Sequence, residues 1–200
     1  EIPLRLVGSE MCIRDRLDYA INASLVLSYV AIHREDKAGL LTFAETADSF
    51  ESPGRRSGQM QTLLDSLYSQ QTTFGETDFS ALCVSVNKHI SKRSLLVLFT
   101  NFAGMTAMLR QLSYLQQLNS RHRLLVVFFE DAEMKDYIAT NASTTEDYYR
   151  HVIAEKFAAE KRLIVSTLKR HGILSLLTTP ANLSIDVINK YIEIKSRQLL

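Results

Sequence analysis

Two short stretches place polar side chains where an open α/β sheet would present them to a ligand. Asn101 and Phe102 follow the apolar run Ser94 to Thr100 (SLLVLFT), and Glu130-Asp131 follows Leu124 to Phe129 (LLVVFF). In such sheets the crevice beyond the carboxyl ends of the strands is the usual binding place. A carboxylate pair there suits acid–base work. No neighbouring residue completes a reaction, however, and solvated loop charges account for Glu130-Asp131 better. Thr77 and Asp78, in the loop GETDF, have two readings each. The Thr77 hydroxyl serves equally as a cation ligand or as the N-cap of a helix opening there. Asp78, in the first turn of that helix, complements its dipole. Asn101 at a strand end is a ligand or the closure of an Asx-turn, and the turn is the favoured reading.

Other chemistry is sparse. The seven glycines build neither GxGxxG nor GxxxxGK[ST], so there is no phosphate cradle. No GxSxG elbow occurs. His33, His89, His122, His151 and His171 lack metal-ligand spacing and fall mostly at polar ends or faces of helices. Cys83 lies between Leu82 and Val84 in a helical stretch and reads as a buried, inert thiol. Lys88, Lys92 and Arg93 form a small basic patch at a helix end, where cations complement the macrodipole without any nucleic acid. These residues point away from an enzyme. The competing reading is a hydrolase or nucleotide-binding enzyme of Rossmann-like fold using Asn101, Glu130 and Asp131.

The elements that would position these residues follow from periodicity. Leu17 to His33 is apolar at mostly helical spacing without Gly or Pro, and Asp36 ends it. Lys37 to Ala44 and Ala47 to Ser52 read as a hairpin joined through Glu45 and Thr46. Helices follow to about Gln70 and from Thr77. Ser94 to Thr100 and Leu124 to Phe129 are continuous apolar runs of the kind buried on both faces, with a helix from Met105 to about Leu118 between them, which makes a βαβ unit. A short helical piece near Ala132 to Ala139 precedes a long helix ending at Arg170. Its stripe of Tyr149, Val152, Ile153, Phe157, Leu163, Ile164 and Leu168 is most simply core-facing. Tyr137, Tyr148 and Tyr149 also suit an interface. His171-Gly172 closes that helix. Ile173 to Thr178 is the last strand and Ile185 to Ile194 the last helix. The expected architecture is doubly wound α/β: one mostly parallel sheet with one antiparallel strand and helices on both faces.

Composition sets outer bounds. The chain has 200 residues, 46% hydrophobic and 22% charged, which suits one globular domain. With 23 Lys+Arg against 22 Asp+Glu, the net charge of +1 gives no bulk field to attract nucleic acid or an anionic membrane. No run approaches the ~18 apolar residues of a membrane span, and two cysteines make no disulfide framework, which fits a cytoplasmic setting. Residues 1–16 (EIPLRLVGSEMCIRDR) stand apart. The stretch VGSEMCIRDR resembles translated sequencing-adapter tails, so 1–16 reads as a non-native leader and 17–200 as the domain. A native strand over Ile2 to Val7, or a start at Met11, are the alternatives.

DKAGLLTFA, GETDFSAL, LLVLFTNF and LLVVFFED, in this order after a long first helix, resemble bacterial proteins of domain of unknown function family 58. That resemblance implies a von Willebrand A-like fold and work alongside a MoxR-type AAA+ ATPase. It also implies a metal-dependent adhesion site built from an Asp-x-Ser-x-Ser loop, a Thr and an Asp. Thr77 matches the Thr position and Asn101 stands where the Asp is expected, while the first loop has no counterpart in this sequence. Mg²⁺ prefers carboxylate and octahedral oxygen ligation, so a cofactor is expected only in a complete site. The resulting expectation is an N-terminally truncated, non-enzymatic interaction and assembly module. Thr77, Asp78, Asn101, Phe102, Glu130 and Asp131 would form its contact surface. The intact protein could carry a membrane anchor on its cytoplasmic side.

Overall fold

The computed structural model describes residues 10–44, 47–68, 77–130 and 145–197, with only the backbone of 10–16, 47, 48, 145 and 146. The chain divides into two compact units, residues 1–89 with 183–191 and residues 90–182 with 192–200.

In the first unit, α1 (Glu10–His33) begins seven residues before the apolar periodicity does. It ends where Glu35 takes φ 63°. Asp36 N–H then reaches Ala31 O (2.9 Å) and Glu35 N–H reaches Ile32 O (3.0 Å), the paired bonds of a left-handed helix cap. Strands β1 (Ala38–Phe43) and β2 (Ala47–Gly54) form the expected antiparallel hairpin, with Leu40 opposite Glu51 and Leu41 opposite Phe50. Residues 45 and 46, the expected joint, lie outside the described residues. Helices α2 (Gln59–Tyr68) and α3 (Phe79–His89) follow, burying Leu63 and Leu67, and Phe79, Leu82, Cys83 and Val86.

In the second unit, β3 (Leu95–Phe99), α4 (Met105–Arg121), β4 (Arg123–Phe129), α5 (Thr145–Arg170) and β5 (Leu174–Thr178) alternate. The three strands are parallel in the order β3-β4-β5, with Leu95 beside Arg123 and Leu125 beside Leu174. Leu124 to Phe129 are all buried, as the apolar run requires of a middle strand. Gly172 (φ 74°) closes α5, with Ile173 N–H on Leu168 O and Gly172 N–H on Lys169 O, both 3.0 Å. Only glycine takes that backbone conformation without a Cβ penalty. The final helix, α6 (Leu183–Ser196), is divided between the units. In the first unit its Tyr191 hydroxyl donates to Asp36 Oδ2. Burial, reinforced by this bond, pushes the Tyr191 phenol well above its ordinary range.

Two expectations need correction. The mixed α/β class holds, with six α-helices among the described residues. The single sheet does not, because the hairpin is a separate two-stranded sheet. Residue pattern identifies strands, while pairing is decided by long-range register that the pattern does not contain. The second correction concerns α5. Ala154, Ile164 and Leu168 are buried, but Tyr149 (67% exposed), Val152 (63%), Ile153, Phe157 and Leu163 are not. A helix of 26 residues runs about 39 Å. A strand of five residues runs only about 17 Å. Much of α5 therefore has no length of β5 to cover. The piece near Ala132 to Ala139, including Tyr137, lies outside the described residues.

Candidate functional site

The carboxyl edge of the three-stranded sheet is held by two consecutive residues of α5. Lys161 Nζ donates to Asn101 Oδ1 (2.8 Å) and to the Phe129 carbonyl oxygen (2.6 Å), so one ammonium joins the ends of β3 and β4. Beside it, Glu160 Oε1 accepts from Met105 N–H (2.7 Å), the first residue of α4. A carboxylate at that position satisfies an orphan helix donor and complements the dipole. Gly104, the N-cap residue, supplies no side-chain bond of its own. A Cβ there would come within 2.9 Å of Glu160 Oε1, so a larger residue would push the carboxylate away from the Met105 N–H.

Around this clamp the strand ends are tied together. Thr100 N–H reaches Val127 O (3.1 Å) and Glu130 N–H reaches Thr178 O (2.8 Å). Asn101 is exposed and Glu130 half-buried. Phe102 turns inward, 7% exposed, with its ring tilted on Phe128 at 5.8 Å between centroids. Asn101, Phe102, Phe128, Lys161 and Ile164 enclose a cavity of about 10 Å³. That is room for one water at most. Asp131 lies outside the described residues.

Thr77 and Asp78 belong to the first unit, and both are exposed. The cap of α3 is Asp78, not Thr77: Asp78 Oδ1 accepts from Ser80 N–H (2.7 Å) and Ala81 N–H (3.2 Å). These are the second and third helical residues, the donors an N-cap side chain serves. Asp78 N–H itself bonds Ala44 O (2.8 Å), tying the helix start to the hairpin. Five residues on, Cys83 is buried and in no disulfide, and burial followed by the Asp78 charge raises its thiol above the ordinary value.

The fit to a divalent ion is poor. Asn101 Oδ1 and Phe129 O, the oxygens a cation at this edge would use, already hold an ammonium. Among the described residues no three His, Cys, Asp or Glu side chains gather in a group that could hold a metal. A larger groove, about 390 Å³, lies in the first unit against Tyr29, Ile32, His33, Arg56, Gly58 and Met60. There the Tyr29 and His33 rings stack 6.1 Å apart at 8°.

Glu160 and Lys161 were not legible as functional from sequence. A Glu-Lys pair within a long helix is also the ordinary furniture of a solvated helix face. His122, at a helix end where a polar, solvated histidine is expected, is only 3% exposed.

The chain belongs to the DUF58 family: the model described as protein of unknown function DUF58 matches residues 5–148, more than half the chain. The match includes Thr77, Asp78, Asn101 and Glu130, and stops short of Glu160 and Lys161. No curated protein matches the chain. No helix among the described residues is long and apolar enough to cross a membrane.

Proposed function

We propose that this chain is a non-enzymatic protein-interaction and assembly domain whose main contact surface is the carboxyl edge of its parallel sheet. Asn101, Phe102 and Glu130 form that surface in the second unit, with Asp131 following in sequence. Phe102 acts from beneath by fixing the loop that presents Asn101. Thr77 and Asp78 are a contact point of the first unit in its own right. The partner in this reading is a MoxR-type AAA+ ATPase, which the family resemblance supports, with the domain working on the cytoplasmic side.

The observation that carries this reading is the closed crevice. Where an α/β enzyme of this type keeps a pocket of about 300 Å³ or more for its ligand, Lys161 and the Phe102–Phe128 pair leave about 10 Å³. A filled edge with exposed loop groups favours recognition of another surface over turnover of a small molecule, and loops are where such recognition varies without cost to the core.

Co-purification of the full-length protein with its cognate ATPase is the test. Ala103→Arg and Ala103→Glu, at an exposed position beside Asn101, should weaken recovery while shifting stability by only about 0.5 kcal/mol. Undiminished recovery with both variants counts against the surface, and failure of the wild type counts against the partner.

A second reading, a nucleotide-binding enzyme, draws on the first unit's groove, where stacked Tyr29 and His33 rings and Arg56 offer a platform for a base and a cation for a phosphate. Saturable ATP binding by calorimetry, lost in Arg56→Ala, would favour it.

A further inference from the structure

At the opposite edge of the parallel sheet, each strand is entered through a basic junction. Residues 91–94 (SKRS) lead into β3, 119–123 (NSRHR) into β4 and 169–172 (KRHG) into β5, and none contains an acid. Hydrogen bonds join the three. Arg123 N–H donates to Ser94 O (2.9 Å). Asn119 spans the other gap, its Nδ2 donating to Gly172 O and its Oδ1 accepting from Leu124 N–H, both 3.2 Å. Neighbouring strands lie about 4.8 Å apart, so the junctions fall within about 10 Å of one another. Lys92, Arg93, Arg121, Lys169, Arg170 and His171 are all exposed there.

Helix dipoles explain part of this pattern. Arg121, Lys169 and Arg170 occupy the last turns of α4 and α5, where cations are favoured. Lys92 and Arg93 lie in no helix, and their charges add repulsion at the same edge. Beneath the junctions His122 Nδ1 is buried without a hydrogen-bond partner, so the platform carries a polar cost as well.

We infer that this amino-terminal edge is a second docking surface, one that takes a short acidic segment of a partner protein. The footprint decides the class of partner. The chain as a whole carries only +1, with 22 acids elsewhere, and screening confines the patch's field to about 8 Å at physiological salt. A duplex or a bilayer would extend past the patch onto surfaces that do not attract it, whereas a few consecutive carboxylates fit inside it. The junctions contain no Phe, Tyr or Trp to stack on bases or to anchor in a lipid interface. Arginine forks match carboxylates in bidentate geometry. This surface is distinct from the carboxyl edge proposed above and stands or falls independently of it.

The test is fluorescence anisotropy of a labelled octaglutamate peptide titrated with the full chain at low and high salt. Wild type should bind in a salt-sensitive manner. The triple variant Lys92→Glu/Arg93→Glu/Lys169→Glu should bind at least about tenfold more weakly. The control Lys37→Glu/Arg110→Glu/Lys156→Glu makes the same change in net charge at exposed positions elsewhere and should lose less than about threefold. Lys92→Gln/Arg93→Gln/Lys169→Gln repeats the loss by charge removal and decides the matter if the reversal variant melts early. Absent peptide binding, or equal losses in the patch and control variants, overturns the proposal. So does tighter binding to duplex DNA or to phosphatidylserine-containing vesicles than to the peptide.

Discussion

The ammonium of Lys161 lies 2.8 Å from Asn101 Oδ1 and 2.6 Å from the Phe129 carbonyl, so a cation belonging to the chain itself bridges two strand ends. Replacing it by methionine keeps an apolar stem of similar length and removes both charge-assisted bonds. Because Asn101 is exposed, water recovers part of the loss, and Lys161→Met should destabilise by about 1–2 kcal/mol in urea denaturation. The same geometry predicts that the wild type shows no saturable Mg²⁺ or Mn²⁺ binding by calorimetry. A micromolar isotherm abolished by Asn101→Ala would show that the ammonium yields its place to a metal.

Asp78, not Thr77, caps α3, and the two are separable by substitution. Asp78→Ala removes the acceptor for Ser80 and Ala81 N–H and should cost about 1 kcal/mol. Thr77→Ala should remain within about 0.5 kcal/mol of wild type. Equal effects in thermal melts would mean that the cap is shared. The cap also makes Asp78 unsuitable as a pure surface probe, since a charge reversal there mixes contact with helix stability.

How much of this was legible in sequence depended on the range of the interaction. The apolar runs of β3 and β4, the hairpin pairing and the Gly172 helix stop are local signals, and all are found where the residues indicated. The separation of the hairpin from the parallel sheet was not legible, because strand pairing is a long-range outcome. On α5 the pattern of Tyr149, Val152 and Ile153 matches that of Ile164 and Leu168, yet only the latter pair is buried. Periodicity marks a helix as amphipathic but carries no measure of how far its partner strand extends. The Lys161–Asn101 contact joins residues 60 apart in sequence, with nothing local to announce it.

Glu35 holds φ 63° with a Cβ, a conformation that costs a non-glycine residue about 1 kcal/mol or somewhat more. Its carbonyl accepts from Arg55 Nη1 at 3.2 Å, a bond that survives any side-chain change, while the side-chain ion pair at 4.0 Å is largely solvated. Glu35→Gly should therefore stabilise, with the gain reduced by the greater freedom of glycine in the unfolded chain to about 0.5–1 kcal/mol. A lower melting temperature for Glu35→Gly than for wild type would show that the ion pair outweighs the backbone term.

His122 ends α4 in extended backbone, buried, with Nδ1 lacking a partner. Burial above all, and then the Arg121 charge, hold its pKa below the ordinary 6.5, against a smaller opposing effect from a hydrogen bond with the Lys92 backbone. In the unfolded chain the same imidazole titrates near ~6.5. Above that value both states leave it neutral, and the folded protein loses nothing. As pH falls below it, the unfolded chain takes up a proton that the folded chain resists, so stability declines until the lowered folded pKa is passed. Urea midpoints followed from about pH 7.5 to about pH 5 should fall more steeply for wild type than for His122→Gln, whose side chain does not titrate. Carboxylates contribute to both curves, so the difference between them isolates His122. Parallel curves would show that acid enters elsewhere and that the buried ring is protonated without penalty.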